Sequence, residues 1–183
     1  IDPVGVSGSS YRREKCLELM KIIHPTCIRG NYSEIQALLH NCGTVTGVDA
    51  AEDALAEAEE TDLPELMKQY AKENQMILVA SGETDLITDG SCVYRCHNGS
   101  PMMARITGSG CMSTVMLGAF LSAENSVESA VACCAFTGIA GELAAKEMTA
   151  QKRGTMTFRN WFIDAVSLMT PEQLEHGTDV DWF

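Results

Sequence analysis

Met76-Ile77-Leu78-Val79-Ala80 is a run of five apolar residues with no polar residue among them. A strand with one face in water alternates apolar and polar positions. One that is apolar throughout is buried on both faces, as in the middle of a parallel sheet covered by helices. The flanking sequence supplies those helices. Leu63–Asn74 has helical character, with Pro64 in the first turn, where its missing N–H costs nothing. Ser10–Ile23 places Leu17, Met20 and Ile23 at helical spacing, Ser9 or Ser10 can cap it, and His24-Pro25 stops it. A short strand is expected over residues 26–29, and a helix over 31–40 with Ile35, Leu38 and Leu39 on one face. Alternating helices and strands favour an α/β sandwich with a mostly parallel sheet.

The rest of the chain continues the pattern. Residues 41–47, with two glycines, read as a loop, and 50–60 as a helix. Asp85–Thr88 and residues 91–97 read as a β-hairpin around Asp89-Gly90, a strong turn signal. Helices are expected over 111–123, buried beside the active site, and over 127–148, 158–169 and 171–175. The tail from Thr178 to Phe183 has no role legible in its residues. No repeat, linker or low-complexity segment divides the 183 residues, so one domain is expected.

Composition removes several functions. The formal charge is −12, from 25 acidic and 13 basic residues, which argues against nucleic acid or an anionic membrane as partner. Much of the acidity lies in residues 52–62, read as a solvated helix face and linker. Most of the eight cysteines fall in apolar periodic segments, so they read as reduced thiols of a cytoplasmic protein rather than a disulfide framework. Cys92, Cys96 and His97 alternate like a strand and lack a second ligand pair, which argues against zinc. The longest apolar run, residues 130–141, is too short to span a bilayer and is flanked by Glu128 and Glu142, so it reads as a buried helix. His24, His40, His97 and His176 are scattered and read as structural or solvent-exposed. Neither a P-loop nor a protein-kinase signature is present.

Residues 104–113 carry the chemistry. Thr107-Gly108-Ser109-Gly110-Cys111 places two glycines and a cysteine where a loop becomes a helix. Glycines let the backbone approach a ligand without a Cβ between them. The first turn of the helix then offers N–H groups without intrahelical partners. Such a turn suits a phosphate, or the charge that develops on a phosphoryl group in flight. Gly108, Ser109, Gly110 and Cys111 therefore read as an anion hole. Cys111, its thiolate favoured by the helix dipole, is the candidate base for removing an alcohol's proton; the rival reading is a small side chain that packs.

Other positions have two readings each. Asn31-Tyr32-Ser33-Glu34 is a capping-box pattern that needs no ligand. Asp2 ends a strand, beyond which ligands bind in open α/β sheets, although a strand-end Asp is more commonly turn chemistry. Arg29 stands at a strand end before Gly30, where its planar fork suits phosphate oxygens; a solvent-facing Arg is the plain alternative. Ser81-Gly82 also follows a strand.

Four segments together resemble the hydroxyethylthiazole kinase family of the ribokinase-like superfamily: Asp2-Pro3-Val4-Gly5-Val6, residues 28–35 (Ile-Arg-Gly-Asn-Tyr-Ser-Glu-Ile), Ser81-Gly82-Glu83-Thr84-Asp85 with Thr88-Asp89-Gly90, and Thr107-Gly108-Ser109-Gly110-Cys111. They occur in the family's order over nearly the whole chain. Cys111 discriminates most, because most of the superfamily has aspartate there. Ser109 stands where threonine or alanine is more familiar. The resemblance implies a ribokinase-like three-layer α/β/α sandwich, of which this chain is the C-terminal two-thirds or so, with the N-terminal part missing. It implies phosphorylation of 4-methyl-5-(2-hydroxyethyl)thiazole by ATP with Mg2+. Cys111 would be the base, Arg29 and Ser81 the ATP contacts, Gly108 a substrate contact, and Asp2 and Glu34 the magnesium partners. It also implies a homotrimer with active sites at subunit boundaries. Two alternatives stay open: another ribokinase-like activity, such as a hydroxymethylpyrimidine kinase or a nicotinamide-nucleotide-hydrate dehydratase, and a non-catalytic subunit of the same fold.

Overall fold

The computed structural model describes residues 1–42 and 63–183; the helix expected over 50–60, the acidic run 52–62 and most of the 41–47 loop lie outside the described residues. The chain forms two compact units, Ile1–Ala80 with Thr88–Val93, and Ser81–Ile87 with Tyr94–Phe183.

The first unit is built on two strands, β1 (Cys27–Asn31) and β2 (Ile77–Ser81, whose last residue groups with the second unit). The two are neighbours, and the Ile77 N–H, opening β2, donates to the Thr26 carbonyl just before β1 at 2.9 Å. Adjacent strand starts mean that the strands run the same way, as the apolar run 76–80 requires. Ile1 extends this pairing on the other side of β1: its N donates to the Cys27 carbonyl at 2.8 Å, and the Arg29 N–H donates to the Ile1 carbonyl at 2.9 Å. One residue bonded on both sides to partners two apart is the parallel ladder.

Helix α1 (Ser10–Ile23) has its expected bounds. Ser9 caps it by accepting the Arg12 N–H, and His24 ends it in the left-handed region at φ 45°. Helices α2 (Tyr32–Cys42) and α3 (Leu63–Asn74) complete the unit, with α2 on β1 and both α1 and α3 packed on α2. Ile28, Ile35, Leu38, Met67, Leu78 and Val79 are fully buried. At the Asp89-Gly90 turn the Thr88 hydroxyl donates to the Cys92 carbonyl at 2.6 Å and accepts the Gly90 N–H at 3.0 Å. Gly90 is required twice: its φ is 96°, and a Cβ would lie 2.5–2.6 Å from Lys72 of α3.

The second unit contains β3 (Asp85–Thr88, whose last residue groups with the first unit), β4 (Val93–Cys96, whose first does), α4 (Ser109–Ala123), α5 (Val127–Ala150), α6 (Thr155–Leu168), α7 (Pro171–Gly177) and β5 (Val180–Trp182). A 3-10 helix over Pro101–Arg105 leads into α4. The tail, silent in the sequence, is β5: it pairs antiparallel with β4, Tyr94 opposite Trp182, Arg95 opposite Asp181 and Cys96 opposite Val180. Asn98 ties this strand to the helices. Its amide donates to Glu142 of α5 at 3.1 Å and to the Gly177 carbonyl at 2.8 Å, while its oxygen accepts the Asp179 N–H at 2.8 Å.

Helix α5 is the centre of the unit and packs against α4, α6 and α7. By length and composition its 24 residues would reach across a bilayer, further than the 130–141 run suggested. It is a core helix: Ala130, Cys133, Ala135, Ile139, Ala140 and Ala144 are buried. The Phe158 and Phe162 rings of α6 stack at 6.3 Å and close the core with Ile106, Ala140 and Ala144. Two glycines let residues 98–103 cross α5 closely. A Cβ on Gly138 would lie 2.5 Å from the Asn98 backbone, and one on Gly141 2.4 Å from the Met103 sulfur.

Candidate functional site

In the first unit, Ile1 paired opposite Ile28 of β1 sets Asp2 alongside Arg29 in that strand. Pro3 then packs against Gly30, where an added Cβ would lie 3.2 Å from the Pro3 ring and 3.1 Å from the Glu34 Cβ. Glu34 joins the two segments. One carboxylate oxygen accepts the Gly5 N–H at 2.8 Å, and the other accepts the Asn31 N–H at 2.9 Å. Asn31 returns the bond by accepting the Glu34 N–H at 2.9 Å, so the capping box is formed, with Ser33 donating to the same Asn31 oxygen at 2.8 Å. Glu34 is 9% exposed, and its carboxylate pins the turn after Asp2 to the start of α2. Each oxygen uses one of its two lone pairs on a backbone donor. What is left suits a hard cation held through water, which takes few protein carboxylates and keeps its hydration shell. Among the described residues no cluster of three or more His, Cys, Asp or Glu forms a closed metal cage. Arg29 is half-buried in the middle of β1 rather than at its end.

In the second unit, Ser81 is half-buried at the end of β2, and the loop after it is fixed by Asp85 accepting the Gly82 N–H at 3.0 Å. The glycine turn opens α4. Gly108 is its N-cap at φ 92° and ψ 0°, a left-handed conformation that demands glycine, and a Cβ there would meet nothing within 4 Å. The requirement at Gly108 is therefore conformational. Its carbonyl accepts the Met112 N–H at 2.9 Å, and no side chain caps this helix start.

Ser109 has a task the sequence did not show. Its hydroxyl donates back to the Met103 carbonyl at 2.8 Å, locking the turn onto the 3-10 helix that Gly141 admits against α5. Its contribution to an anion hole is thus confined to its backbone. Cys111, the third residue of α4, is exposed, as are Val115 (74%), Gly118 and Ala119 along the same face. This corrects the expectation that α4 is buried: only Ser113 and Leu117 are. Apolar composition is the same for a core helix and for one with an uncovered face, so the residues could not separate the two.

Sequence reasoning also passed over the surroundings of His97. Its Nε2 lies 3.0 Å from an Asp181 oxygen and its Nδ1 3.3 Å from the Thr84 hydroxyl. Arg95 donates to the other Asp181 oxygen at 2.6 Å, and its guanidinium lies 4.9 Å from the Phe183 ring. Arg95, and then His97, hold the Asp181 carboxyl below its ordinary range. Burial pushes the neighbouring Cys96 thiol up to about 12. The alternation over residues 92–96 did show that this is a strand; that Cys96 is buried is decided by the fold.

The parallel βαβ unit and the glycine turn opening an uncapped helix make this an α/β fold, and the superposition that follows makes it ribokinase-like. A solved hydroxyethylthiazole kinase from Pyrococcus horikoshii OT3 superposes with a TM-score of 0.79 at 25% identity, over all of this chain and 64% of that one. The family model described as "Hydroxyethylthiazole kinase family" matches residues 1–172, and the chain belongs to that family. Hydroxyethylthiazole kinase 1 of Methanosphaera stadtmanae is 38% identical over 91% of this chain and 61% of its own length. Hydroxyethylthiazole kinase of Staphylococcus carnosus is 36% identical over 90% and 60% respectively. The chain thus spans about three-fifths of the curated relatives it matches.

Proposed function

We propose that this chain is the nucleotide-binding and catalytic portion of an ATP- and magnesium-dependent kinase acting on the hydroxyl of 4-methyl-5-(2-hydroxyethyl)thiazole. The observation that carries the proposal is the Gly108 turn, which presents an uncapped α4 start with an exposed Cys111 thiol on its first turn. The relatives' shared name supports the thiazole alcohol as acceptor. Phosphoryl transfer asks chiefly for positioning and for stabilisation of charge on the moving group. The amides of Gly108, Ser109, Gly110 and Cys111 stabilise that charge, and Cys111 accepts the alcohol's proton as the new O–P bond forms. The Gly108 backbone meets the acceptor. Arg29 and Ser81 hold the nucleotide. Asp2 and Glu34 would hold magnesium, which would supply neutralisation of phosphate charge. The capped, buried setting of Glu34 keeps its carboxylate in place without a cation, so the site is organised before the nucleotide arrives.

The same reading makes residues 1–183 part of one kinase domain, in keeping with a superposition covering all of this chain. It makes the protein cytoplasmic, in keeping with Cys92, Cys96 and Cys111 standing as thiols outside any disulfide. It makes the assembly a homotrimer with active sites at subunit boundaries. The test is magnesium-dependent ADP release by the native assembly with and without the thiazole alcohol. Release that needs this alcohol and not a pyrimidine alcohol supports the proposal. Magnesium-dependent ATP binding without turnover replaces it with a non-catalytic subunit.

A further inference from the structure

The tail strand and the loop after β2 meet at one imidazole. His97 follows β4 directly and continues its pairing, its N–H donating to the Asp179 carbonyl at 2.9 Å, so it shares a face of the sheet with Arg95 two residues before it. The β4–β5 register sets Asp181 opposite Arg95, where its two oxygens serve both side chains. A carboxylate only accepts, so the His97 Nε2 carries its hydrogen toward Asp181. In the neutral ring Nδ1 is then an acceptor, and the Thr84 hydroxyl, 3.3 Å away, donates to it. Thr84 lies in the 82–85 loop, where the Gly82 N–H also donates to Asp85.

We infer that His97 is a positioning residue for the nucleotide: oriented by Asp181 from the C-terminal strand, it fixes the direction of the Thr84 hydroxyl and with it the loop that follows Ser81. The inference rests on the reading of Ser81 as a nucleotide contact. Nothing in it requires His97 to touch ATP. The tail, held on β4 by its own strand pairing, becomes the far anchor of the loop that follows Ser81.

The test uses the complete enzyme with Thr84→Val, Thr84→Ser, Asp181→Asn and Ser81→Ala. Thr84→Val removes the hydroxyl at constant shape and is expected to raise KM for ATP about 2–10-fold, the range of one hydrogen bond, with kcat nearly unchanged. Thr84→Ser keeps the hydroxyl and is expected to restore KM. NMR of the imidazole is expected to show the Nε2–H tautomer in the parent and in Thr84→Val, and the Nε2–H proton moved upfield in Asp181→Asn, where the acceptor has lost its charge. KM unchanged in Thr84→Val but raised in Ser81→Ala overturns the role of His97 alone. KM unchanged in both overturns it together with the nucleotide reading of the loop. An Nε2–H proton shift unaltered in Asp181→Asn overturns the orienting role of Asp181.

Discussion

Gly138→Ala and Gly118→Ala are the same substitution in two helices, and the structure assigns them opposite signs. Gly118 lies in α4, where an added Cβ meets nothing within 4 Å. There the methyl only restricts the unfolded chain and improves helix propensity, which stabilises by about 0.5–1 kcal/mol. Gly138 lies in α5 under the Asn98 backbone, where the Cβ would come to 2.5 Å from both the carbonyl carbon and its oxygen. The obstacle is main chain and cannot rotate away, so α5 or the 97–99 segment has to move by most of an ångström. Overpacking of this kind costs about 3 kcal/mol at the upper end of the usual range, against a propensity gain near 1. The net loss is about 2 kcal/mol, and the movement also strains the bonds from Asn98 to Glu142, Gly177 and Asp179. For a chain of this size that is a Tm lower by about 4–8 °C, against a rise of about 1–4 °C for Gly118→Ala. Calorimetry on the two variants and the parent reads both shifts. A Tm for Gly138→Ala equal to or above the parent's refutes the close crossing of α5.

Cys111→Ala is expected to lower kcat on the thiazole alcohol while leaving ATP affinity near the parent's; unchanged turnover removes the thiol from the proton transfer. Glu34→Gln sets an amide NH2 against one of the two N–H donors, from Gly5 and Asn31, that the carboxylate accepts, and is expected to cost about 2 kcal/mol in urea unfolding. An unaltered midpoint refutes the pinning role of Glu34. Iodoacetamide at pH 8 is expected to alkylate exposed Cys111 rapidly and buried Cys96 only after unfolding, which peptide mass mapping reads directly. The raised Cys96 thiol also gives a sign in pH. The unfolded chain loses this proton from 9.0 upward and the folded one only near 12, so stability is constant below the lower value and falls between the two. The slope is at most about 1.4 kcal/mol per pH unit. Denaturation midpoints from pH 8 to 11 are expected to fall less steeply in Cys96→Ala, and equal slopes refute the assignment.

Much of the fold was legible because local signals agreed with it. Ser9 and His24-Pro25 bound α1 at both ends, the apolar run 76–80 is β2, and Asp89-Gly90 makes the turn it announces. What escaped was set by residues far apart. Val180-Asp181-Trp182 has no strand pattern of its own and becomes β5 only because β4 offers an edge and Asn98 a bond to Asp179. The glycines of α5 read as small residues in an apolar helix, and nothing local shows that one faces Asn98 and the other Met103.

The candidate site divides in the same way. The sequence by itself determined the elements of chemistry: a glycine turn before a helix, a cysteine on its first turn, a capping box, and an acidic formal charge. These are local, because turns, caps and charges act within a few residues. Tertiary structure alone decided what each group is used for. It spent both Glu34 oxygens on backbone donors from Gly5 and Asn31, spent the Ser109 hydroxyl on Met103, and left α4 with an uncovered face. It also joined Thr84, His97 and Asp181 across nearly a hundred residues. The physical reason is that a side chain's residue type sets which bonds it can make, whereas the partners that reach it depend on how distant backbone segments pack.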